Sequence, residues 1–364
     1  MNKIFSPEQL ILPLHARIKP PILIILGSPR LVAQIAGSLN SPVSVFQLDL
    51  FQSEQIKNSL NALGRTEDKI ICQSDLWDLS PQYQTILFPI AAHGERELKI
   101  DMLEQAFHLL PKDGLLVSIS EYESDELLPK WHKNLFGKFS SLPDHRNGSV
   151  YWSYKQKEKP RRRHELTFHA RSKSGQSYSF CSRPGVFSYG ELDNGTRALL
   201  DIVQLKPGDR LLDLGCGLGA AGILASEQIG KDAEIGFADS NLRALALTEL
   251  NAKQFGLSNY QLYPTHDLKI IPRQRFDVIL ANPPYYANSS IAQKFMLTAI
   301  DLLSPKGAFY LVTKQINTLA PMIGELFSYC DIFQSRGYHI IRGSCQELLP
   351  EHYSSDPKFH PISL

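Results

Sequence analysis

The sequence predicts an α/β protein built from two tandem Rossmann-like domains, of which the N-terminal one is degenerate. Three observations support this class. The length of 364 residues suits two domains of ordinary size. Apolar runs typical of buried strands alternate with helical stretches in two segments, at about 21–154 and 196–345. Several short patterns of the first segment also recur in the second at a nearly constant offset.

Each segment contains a series of predicted strands with the spacing expected of a doubly wound sheet. In the first segment they are Ile22–Leu26, Val43–Leu48, Lys69–Cys72, Thr85–Phe88 and Gly114–Ile119. In the second segment they are Arg210–Leu214, Glu234–Ala238, Gln261–Tyr263, Phe276–Ala281 and Ala308–Val312. The predicted domains are therefore 1–154 and 196–345, with a basic linker and a Pro-Gly-Val-Phe-Ser stretch at 155–195 and a tail at 346–364.

The recurring patterns favour a duplicated domain over a chance likeness. The A-x-x-L-L-x-x-x-G pattern of 106–114 returns at 299–307, and Asp49 corresponds to Asp239. The copies differ where chemistry is expected. The second reads Asp-Leu-Gly-Cys-Gly-Leu-Gly at 213–219, whereas the first reads Ile-Leu-Gly-Ser-Pro-Arg-Leu at 25–31. Only the second copy keeps a candidate site, so the first is predicted to be a degenerate partner that serves structure or substrate recognition.

A glycine-rich loop follows the first predicted strand of the second segment. Its alternate glycines let the backbone approach a ligand closely. Asp239 ends the next strand, where a carboxylate can accept hydrogen bonds from both ribose hydroxyls. NAD would also suit these features, but the loop lacks the G-x-G-x-x-G spacing of pyrophosphate sites. An acid at Asp213 suits the cationic methionine end of S-adenosylmethionine. We therefore predict that cofactor, bound by Asp213, Gly215, Cys216, Gly217, Gly219, Asp239, Ser240, Asp267 and Asn282.

Two residues of this set have more than one predicted role. Asp267 follows the third strand and could accept a hydrogen bond from the adenine amino group, or it could be an ordinary solvated loop acid. Asn282 is predicted to contact both cofactor and substrate; it follows the strand Phe276–Ala281 and begins an Asn-Pro-Pro-Tyr stretch.

That stretch predicts methyl transfer to a planar amino nitrogen. Prolines remove amide donors and fix the backbone, so the Asn282 side-chain oxygen and the Pro283 carbonyl can accept the two amino hydrogens. This orients the nitrogen lone pair without a strong base. Tyr285 can stack on the target ring, which is worth about 1–3 kcal/mol for base–aromatic contacts. We predict Asn282, Pro283 and Tyr285 as catalytic residues.

Together, the glycine loop and the Asn-Pro-Pro-Tyr stretch resemble those of class I S-adenosylmethionine-dependent methyltransferases that act on amino nitrogens. The segment Pro184-Gly-Val-Phe-Ser188, followed by Leu192-Asp-x-Gly-Thr196, is similar to the ribosomal RNA guanine-N2 methyltransferases of the RsmC/RlmG type. That family pairs a degenerate N-terminal methyltransferase domain with a catalytic C-terminal one. The resemblance implies methylation of a guanine N2 amino group in ribosomal RNA, with the 16S RNA of the small subunit favoured.

Other functions stay open on the residues alone. An adenine-N6 or protein glutamine-N5 methyltransferase shares the Asn-Pro-Pro-Tyr stretch. A non-catalytic RNA-binding or ribosome assembly factor is an alternative of another class, although both motifs survive together in the second segment. An NAD-dependent dehydrogenase is a further alternative.

Candidate RNA contacts come from charge and aromatic residues. Lys155–Lys173 contains eight Lys/Arg against two Glu, which suits either phosphate binding or a solvated connector. The net charge is only +1, so RNA binding requires such a local patch. The predicted substrate and RNA contacts are Phe187, Arg161, Arg162, Arg163 and Tyr286.

Composition argues against several other classes. The five cysteines show no C-x-x-C spacing and the eleven histidines no paired metal spacing, so we predict no metal and no disulfide framework. No signal-peptide pattern or membrane-length apolar run is apparent. We expect a monomeric cytoplasmic protein whose partner is ribosomal RNA or a ribosomal subunit.

Overall fold

The computed structural model describes residues 6–77, 79–80, 82–91, 94–142, 148–283 and 290–345. The chain divides into two compact units, Met1–His164 and Glu165–Leu364. Each unit contains one seven-stranded sheet. No helix in these described ranges is both long and apolar enough to cross a membrane.

In the first unit, the sheet is covered by helices that alternate with its parallel strands. The helices are α1 (Pro7–Ile11), α2 (Pro29–Gly37), α3 (Leu50–Ala62), α4 (Arg96–Leu109) and α5 (Leu127–Phe136), with a 3-10 helix at Leu12–Arg17. The strands are β1 (Ile22–Ile25), β2 (Val43–Gln47), β3 (Lys69–Cys72), β4 (Thr85–Ile90), β5 (Leu115–Ser120), β6 (Ser140–Ser141) and β7 (Ser149–Tyr154). They lie in the order β3-β2-β1-β4-β5-β7-β6, and β7 is antiparallel to both neighbours.

The second unit begins with a hairpin and continues into a second seven-stranded sheet. The hairpin is β8 (Leu166–Arg171) and β9 (Ser177–Ser182). The helices are α6 (Asn194–Ile202), α7 (Ala220–Ile229), α8 (Leu242–Phe255), α9 (Ser290–Leu302) and α10 (Ile316–Leu326). The sheet strands are β10 (Leu211–Leu214), β11 (Ile235–Asp239), β12 (Tyr260–Pro264), β13 (Phe276–Ala281), β14 (Leu303–Thr313), β15 (Tyr329–Ser335) and β16 (Tyr338–Ser344).

Both sheets have the same topology. The second sheet runs β12-β11-β10-β13-β14-β16-β15, which is the order of the first sheet strand for strand. Its parallel part is followed by an antiparallel hairpin, as in the first unit. This confirms the predicted pair of tandem Rossmann-like domains, and Lys69–Cys72 and Phe276–Ala281 have the bounds that the sequence predicted. The antiparallel strands β6, β7, β15 and β16 were not predicted.

The core of the second unit explains why its strands read as continuous apolar runs. Alternate residues along a strand point to opposite faces of a sheet. Leu211 and Val278 therefore pack with α6, α7 and α8 on one face, whereas Leu212 and Ile279 pack with α9 and α10 on the other. A parallel sheet that is covered by helices on both faces has no polar face, so its strands lack the alternation of apolar and polar residues seen in half-exposed strands.

The segment 155–195 is divided between the two units. Residues 155–164 belong to the first unit, where Lys155 is buried and donates from Nζ to the Leu110 carbonyl at 2.8 Å. Much of the remainder forms the β8–β9 hairpin, whose Phe168 and Phe180 stack at 5.7 Å and pack onto the second unit's core. Within the charged run 155–173, residues 166–171 thus form strand β8, whereas 155–165 contain no helix or strand.

Candidate active site

A cleft opens at the carboxyl ends of β10 and β13 in the second unit. The space between its walls, including the part open to solvent, is about 410 Å³. Its lining includes Phe187, Asp193, Thr196, Asp213, Gly217 and Asn282. Open α/β sheets bind ligands at this edge because the strands end there and the following loops diverge.

Its floor is the glycine loop between β10 and α7. Gly217 has a φ of +57°, and a Cβ added to it would meet no atom within 4 Å, so its α-carbon faces open space. Farther along, a Cβ at Gly222 would lie 2.5 Å from the Phe237 ring. Glycine at 222 therefore lets α7 lie close against the sheet and keeps the loop at the cleft.

Asp213 lies at the end of β10 under this loop. It is 3% exposed, and its Oδ2 accepts a hydrogen bond from the Gly222 amide at 2.9 Å. Burial raises the pKa of the Asp213 carboxyl to about 7; the Gly222 hydrogen bond opposes the rise and the neighbouring Asp239 carboxylate adds to it. A carboxyl in this state gains when a cationic group arrives beside it.

Asp239 ends β11 and holds the glycine loop in place. Its Oδ2 accepts from the Gly217 amide at 2.9 Å, and its Oδ1 accepts from the Asn241 amide at 2.8 Å. Ser240 follows directly and is half-buried. The predicted ribose acid is thus also a structural partner of the loop, which ties any change at Asp239 to loop geometry.

Cys216 contributes packing to the cleft. Its side chain is 7% exposed, and Sγ lies 3.5 Å from Thr248 Oγ1. Burial raises the pKa of the Cys216 thiol well above its ordinary value, with the Asp239 and Asp213 carboxylates adding to the rise. The thiol therefore stays protonated at neutral pH and is a poor nucleophile.

Asn282 directly follows β13 and is oriented by two partners on the first turn of α6. Its Nδ2 donates to Asp193 Oδ2 at 2.7 Å and to Thr196 Oγ1 at 3.0 Å. Asp193 also caps α6, because Oδ2 accepts from the Thr196 amide at 2.9 Å. Since an ionised carboxylate can only accept, these contacts fix which end of the Asn282 amide faces α6.

No role was predicted for Asp193 and Thr196, although both contact Asn282 at the site. Both stand in the Leu-Asp-x-Gly-Thr segment that carried the family resemblance. An Asp just before a helical stretch is a helix N-cap signal, which by itself indicates only where α6 begins. Their contact with Asn282 joins positions 89 and 86 residues apart.

Two side chains of α8 and its cap hold the Pro-Gly-Val-Phe-Ser segment. Asn241 Nδ2 donates to the Gly185 carbonyl at 2.7 Å, and the fully buried Arg243 donates from Nη1 to the Pro184 carbonyl at 2.6 Å. Phe187 remains 45% exposed at the cleft. An exposed ring on an anchored loop is suited to stacking on a planar ligand.

Asp267 is engaged within its own loop. Side-chain and backbone hydrogen bonds from Lys269 are the main causes that lower the pKa of the Asp267 carboxyl to about 2, with Thr265 adding to them. Its Oδ2 lies 3.0 Å from Lys269 Nζ. Asp267 is not among the residues that line the cleft, and neither are the predicted cofactor residues Gly219, Asp239 and Ser240.

The remaining predicted residues lie elsewhere or outside the described part. Arg161, Arg162 and Arg163 belong to the first unit and are exposed; the Arg161 guanidinium lies 5.1 Å from the centre of the Trp77 ring. Pro283 is buried directly after Asn282. Tyr285 and Tyr286 lie outside the described residues, as does the tail from residue 346.

The corresponding place in the first unit is built differently. There Ser28 caps α2, which starts at Pro29, so the loop after β1 is short. A Cβ at Gly27 would lie 2.7 Å from Pro89 Cγ, which shows how closely that proline covers the loop. Asp49, the counterpart of Asp239, caps α3 by accepting from the Gln52 amide at 2.8 Å.

Metal chemistry finds no support in the described ranges. They contain no cluster of three or more His, Cys, Asp or Glu side chains placed to hold a metal ion.

Tandem doubly wound sheets with a glycine loop, a strand-end acid and an oriented Asn-Pro define a protein of the methyltransferase class. The methyltransferase small domain family matches residues 177–342. YbxB of Bacillus subtilis (strain 168), an uncharacterized protein, is 31% identical over 211 residues, which cover 56% of this chain and 96% of YbxB. The chain belongs to the methyltransferase small domain family.

For two other relatives, the similarity covers only about half of the relative's own length. Ribosomal RNA small subunit methyltransferase C of Psychromonas ingrahamii is 31% identical over 160 residues, 42% of this chain and 44% of that protein. The protein of the same name from Marinomonas sp. is 29% identical, over 51% of its length. The matches thus span about half of these relatives.

One solved structure resembles the chain over both units. It is the T. thermophilus 16S rRNA N2 methyltransferase RsmC in complex with AdoMet and guanosine, with a TM-score of 0.74 and 21% identity over 93% of this chain and 92% of that one. At this identity, the likeness establishes the fold.

Proposed function

We propose that this protein transfers a methyl group from S-adenosylmethionine to the exocyclic N2 amino group of a guanine in ribosomal RNA, with the 16S RNA of the small subunit favoured. The observation that carries the proposal is the Asn282 amide, whose nitrogen is held by Asp193 and Thr196 beside the glycine loop. The names of the ribosomal RNA methyltransferases to which the chain is similar support guanine and the small subunit.

The cleft fits the proposed cofactor. S-adenosylmethionine, when bound, supplies an electrophilic methyl group. Asp213 would hold its cationic amino group, since a buried carboxyl of raised pKa gains a counter-charge there. Asp239 would accept from the ribose hydroxyls, and Gly217 leaves the space that the ligand needs. Gly215, Cys216, Gly219 and Ser240 complete this proposed set, whereas the Asp267 carboxylate is already engaged by Lys269.

In this proposal, the protein catalyses methyl transfer by orienting the amino nitrogen of the target base. The amide nitrogen of Asn282 donates to Asp193 and Thr196 at α6, and in this proposal its Oδ1 accepts from the incoming amino group. The Pro283 carbonyl accepts the second amino hydrogen and Tyr285 stacks on the base, with Phe187 and Tyr286 as further substrate contacts. The neutral amino nitrogen needs no strong base, because its protons become acidic only as the new bond forms.

We further propose a division of labour between the units. The predicted domain 196–345 carries the chemistry, while 1–154 contributes substrate recognition or structure, and Arg161, Arg162 and Arg163 contact RNA phosphates. We expect a monomer that acts in the cytoplasm on ribosomal RNA or a ribosomal subunit. Removing all three arginine charges should flatten the salt dependence of RNA binding by up to about three units.

Methyl transfer with labelled S-adenosylmethionine tests the function. Small subunits, large subunits and their naked RNAs are incubated with the protein, and the RNA is digested to nucleosides. N2-methylguanosine in small-subunit RNA is the expected product, and Asn282→Ala should reduce the rate by roughly 10²–10³-fold with calorimetric S-adenosylhomocysteine affinity little changed. If the digest contains N6-methyladenosine instead, the target base is adenine and the assignment of guanine is wrong. Tight cofactor binding without methylated RNA would refute the proposal and direct the assay to protein glutamine.

A further inference from the structure

A second depression in the same unit lies next to the active-site cleft. It holds about 610 Å³ of empty space, and its lining includes the cationic side chains Arg171, Lys173, Arg197 and Arg336. We call it the basic pocket. Arg171 and Lys173 come from the end of β8 and its turn, Arg197 from α6, and Arg336 from the turn between β15 and β16.

The charge of the basic pocket is one-sided. Asp201 is the acidic residue in its lining. That carboxylate is engaged by Arg336, whose Nε lies 2.6 Å from Oδ2, and by the Ser335 hydroxyl at 2.8 Å. One carboxylate therefore stands among four cationic groups, an excess that favours an anion. Arginines in particular match the oxygen pairs of a phosphate group.

The first turns of α6 connect the basic pocket to the active site. Leu192, just before the helix, lines both depressions. Asp193 and Thr196 face the cleft and hold Asn282. The next residue, Arg197, lines the basic pocket, and Asp201 shares its helix face because residues four apart are neighbours. The first turns of α6 therefore contribute side chains to both depressions.

We propose that the basic pocket binds a phosphate group of the RNA backbone beside the nucleotide whose base enters the cleft. This inference rests on the proposed function, because a nucleic-acid substrate brings phosphates on both sides of its target base. The pocket would set the position of the strand, whereas the cleft recognises the base. Arg197 also donates from Nε to the Leu192 carbonyl at 3.3 Å, which keeps it on the wall between the two depressions.

The test compares two variants of the full-length protein that lose the same charge. Arg171→Gln/Lys173→Gln neutralises two exposed cations of the basic pocket. Lys253→Gln/Arg273→Gln neutralises two others of the same unit, whose side chains are 63% and 79% exposed. A thermal unfolding curve first establishes that both fold as the wild type does.

Three measurements then follow on single-stranded RNA. For the pocket variant, the slope of log affinity against log salt should fall by about 1.4, roughly 0.7 for each lost phosphate contact, and the KM for RNA should rise about tenfold. Methyl transfer to guanosine, which has no phosphate, should be unchanged, as should S-adenosylhomocysteine affinity. The control variant should show a smaller change in both slope and KM.

The outcomes separate this inference from the proposed function. If the wild type methylates RNA but the two variants have equal slopes and KM values, the basic pocket is wrong and the function stands. If the wild type methylates no RNA while the slopes still differ as expected, the function is wrong and the phosphate contact stands. Calorimetry with guanosine 5′-monophosphate distinguishes the source. If the pocket variant loses guanosine 5′-monophosphate binding while the salt dependence of its RNA binding is unchanged, the basic pocket binds a free nucleotide. That result would overturn the assignment to a backbone phosphate.

Discussion

Replacing Asp193 by Asn separates the two tasks of that side chain. In the wild type, Oδ2 caps α6 through the Thr196 amide at 2.9 Å and accepts from Asn282 Nδ2 at 2.7 Å. Asn is as good an N-cap as Asp, so the cap survives the change. The contact with Asn282 loses its charge, and the new amide can also present its own NH2 group to Asn282. The orientation of Asn282 is therefore weakened while the helix remains.

The size of the effect follows from the bond that changes. Hydrogen bonds to charged groups contribute about 1.5–3 kcal/mol and neutral ones about 0.5–1.5 kcal/mol, so the oriented state loses about 1–1.5 kcal/mol. This corresponds to a rate lower by about 5–13-fold. The hydrogen bond to Thr196 Oγ1 at 3.0 Å remains, which keeps the loss below that of Asn282→Ala. Asp193→Ala should cost more in both rate and stability, because it also removes the cap.

The assay is single-turnover methyl transfer at saturating cofactor. Asp49→Asn is a matched control, because Asp49 caps α3 in the first unit with the same geometry and lies far in sequence from the site. It should leave turnover unchanged with a similarly small effect on unfolding temperature. In the Asn282→Ala background, Asp193→Asn should have almost no further effect on rate, since the group it orients is gone. Fully additive losses would refute the claim that Asp193 acts through Asn282.

Three further predictions concern the cofactor. Because the Asp213 pKa of about 7 falls in the assay range, S-adenosylhomocysteine affinity should drop up to about tenfold per pH unit below pH 7; calorimetry between pH 6 and 8 should show this, and Asp213→Asn should bind weakly with a flat profile. Asp239→Ala should weaken the same binding by about 1.5–3 kcal/mol, and unchanged affinity would remove it from the site. Titration should give one cofactor per chain, because Pro89 covers the first unit's loop at Gly27; a stoichiometry near two would contradict the degenerate first domain.

The sequence by itself determined the fold class and the main residues of the cleft. Buried parallel strands are short apolar runs, so Phe276–Ala281 could be bounded from composition alone. The partly exposed edge strand Lys69–Cys72 was bounded correctly as well. Asp213, the glycines after it and Asn282 were found because their chemistry depends on local order along the chain. The duplication was also visible, since two copies of one topology repeat the same spacings.

Only the tertiary structure decided which distant groups meet. Asn282 and Asp193 are 89 residues apart, and nothing in either segment specifies that the Asn282 amide donates a hydrogen bond to the Asp193 carboxylate. Lys155 read as a solvated charge, yet it is buried against the Leu110 carbonyl. The cations of the basic pocket likewise come from three separate places, namely the β8–β9 hairpin, the turn between β15 and β16, and α6. Sequence patterns record which face of its own element a residue occupies, whereas hydrogen bonds and charge clusters depend on how elements pack in space, which no local periodicity encodes.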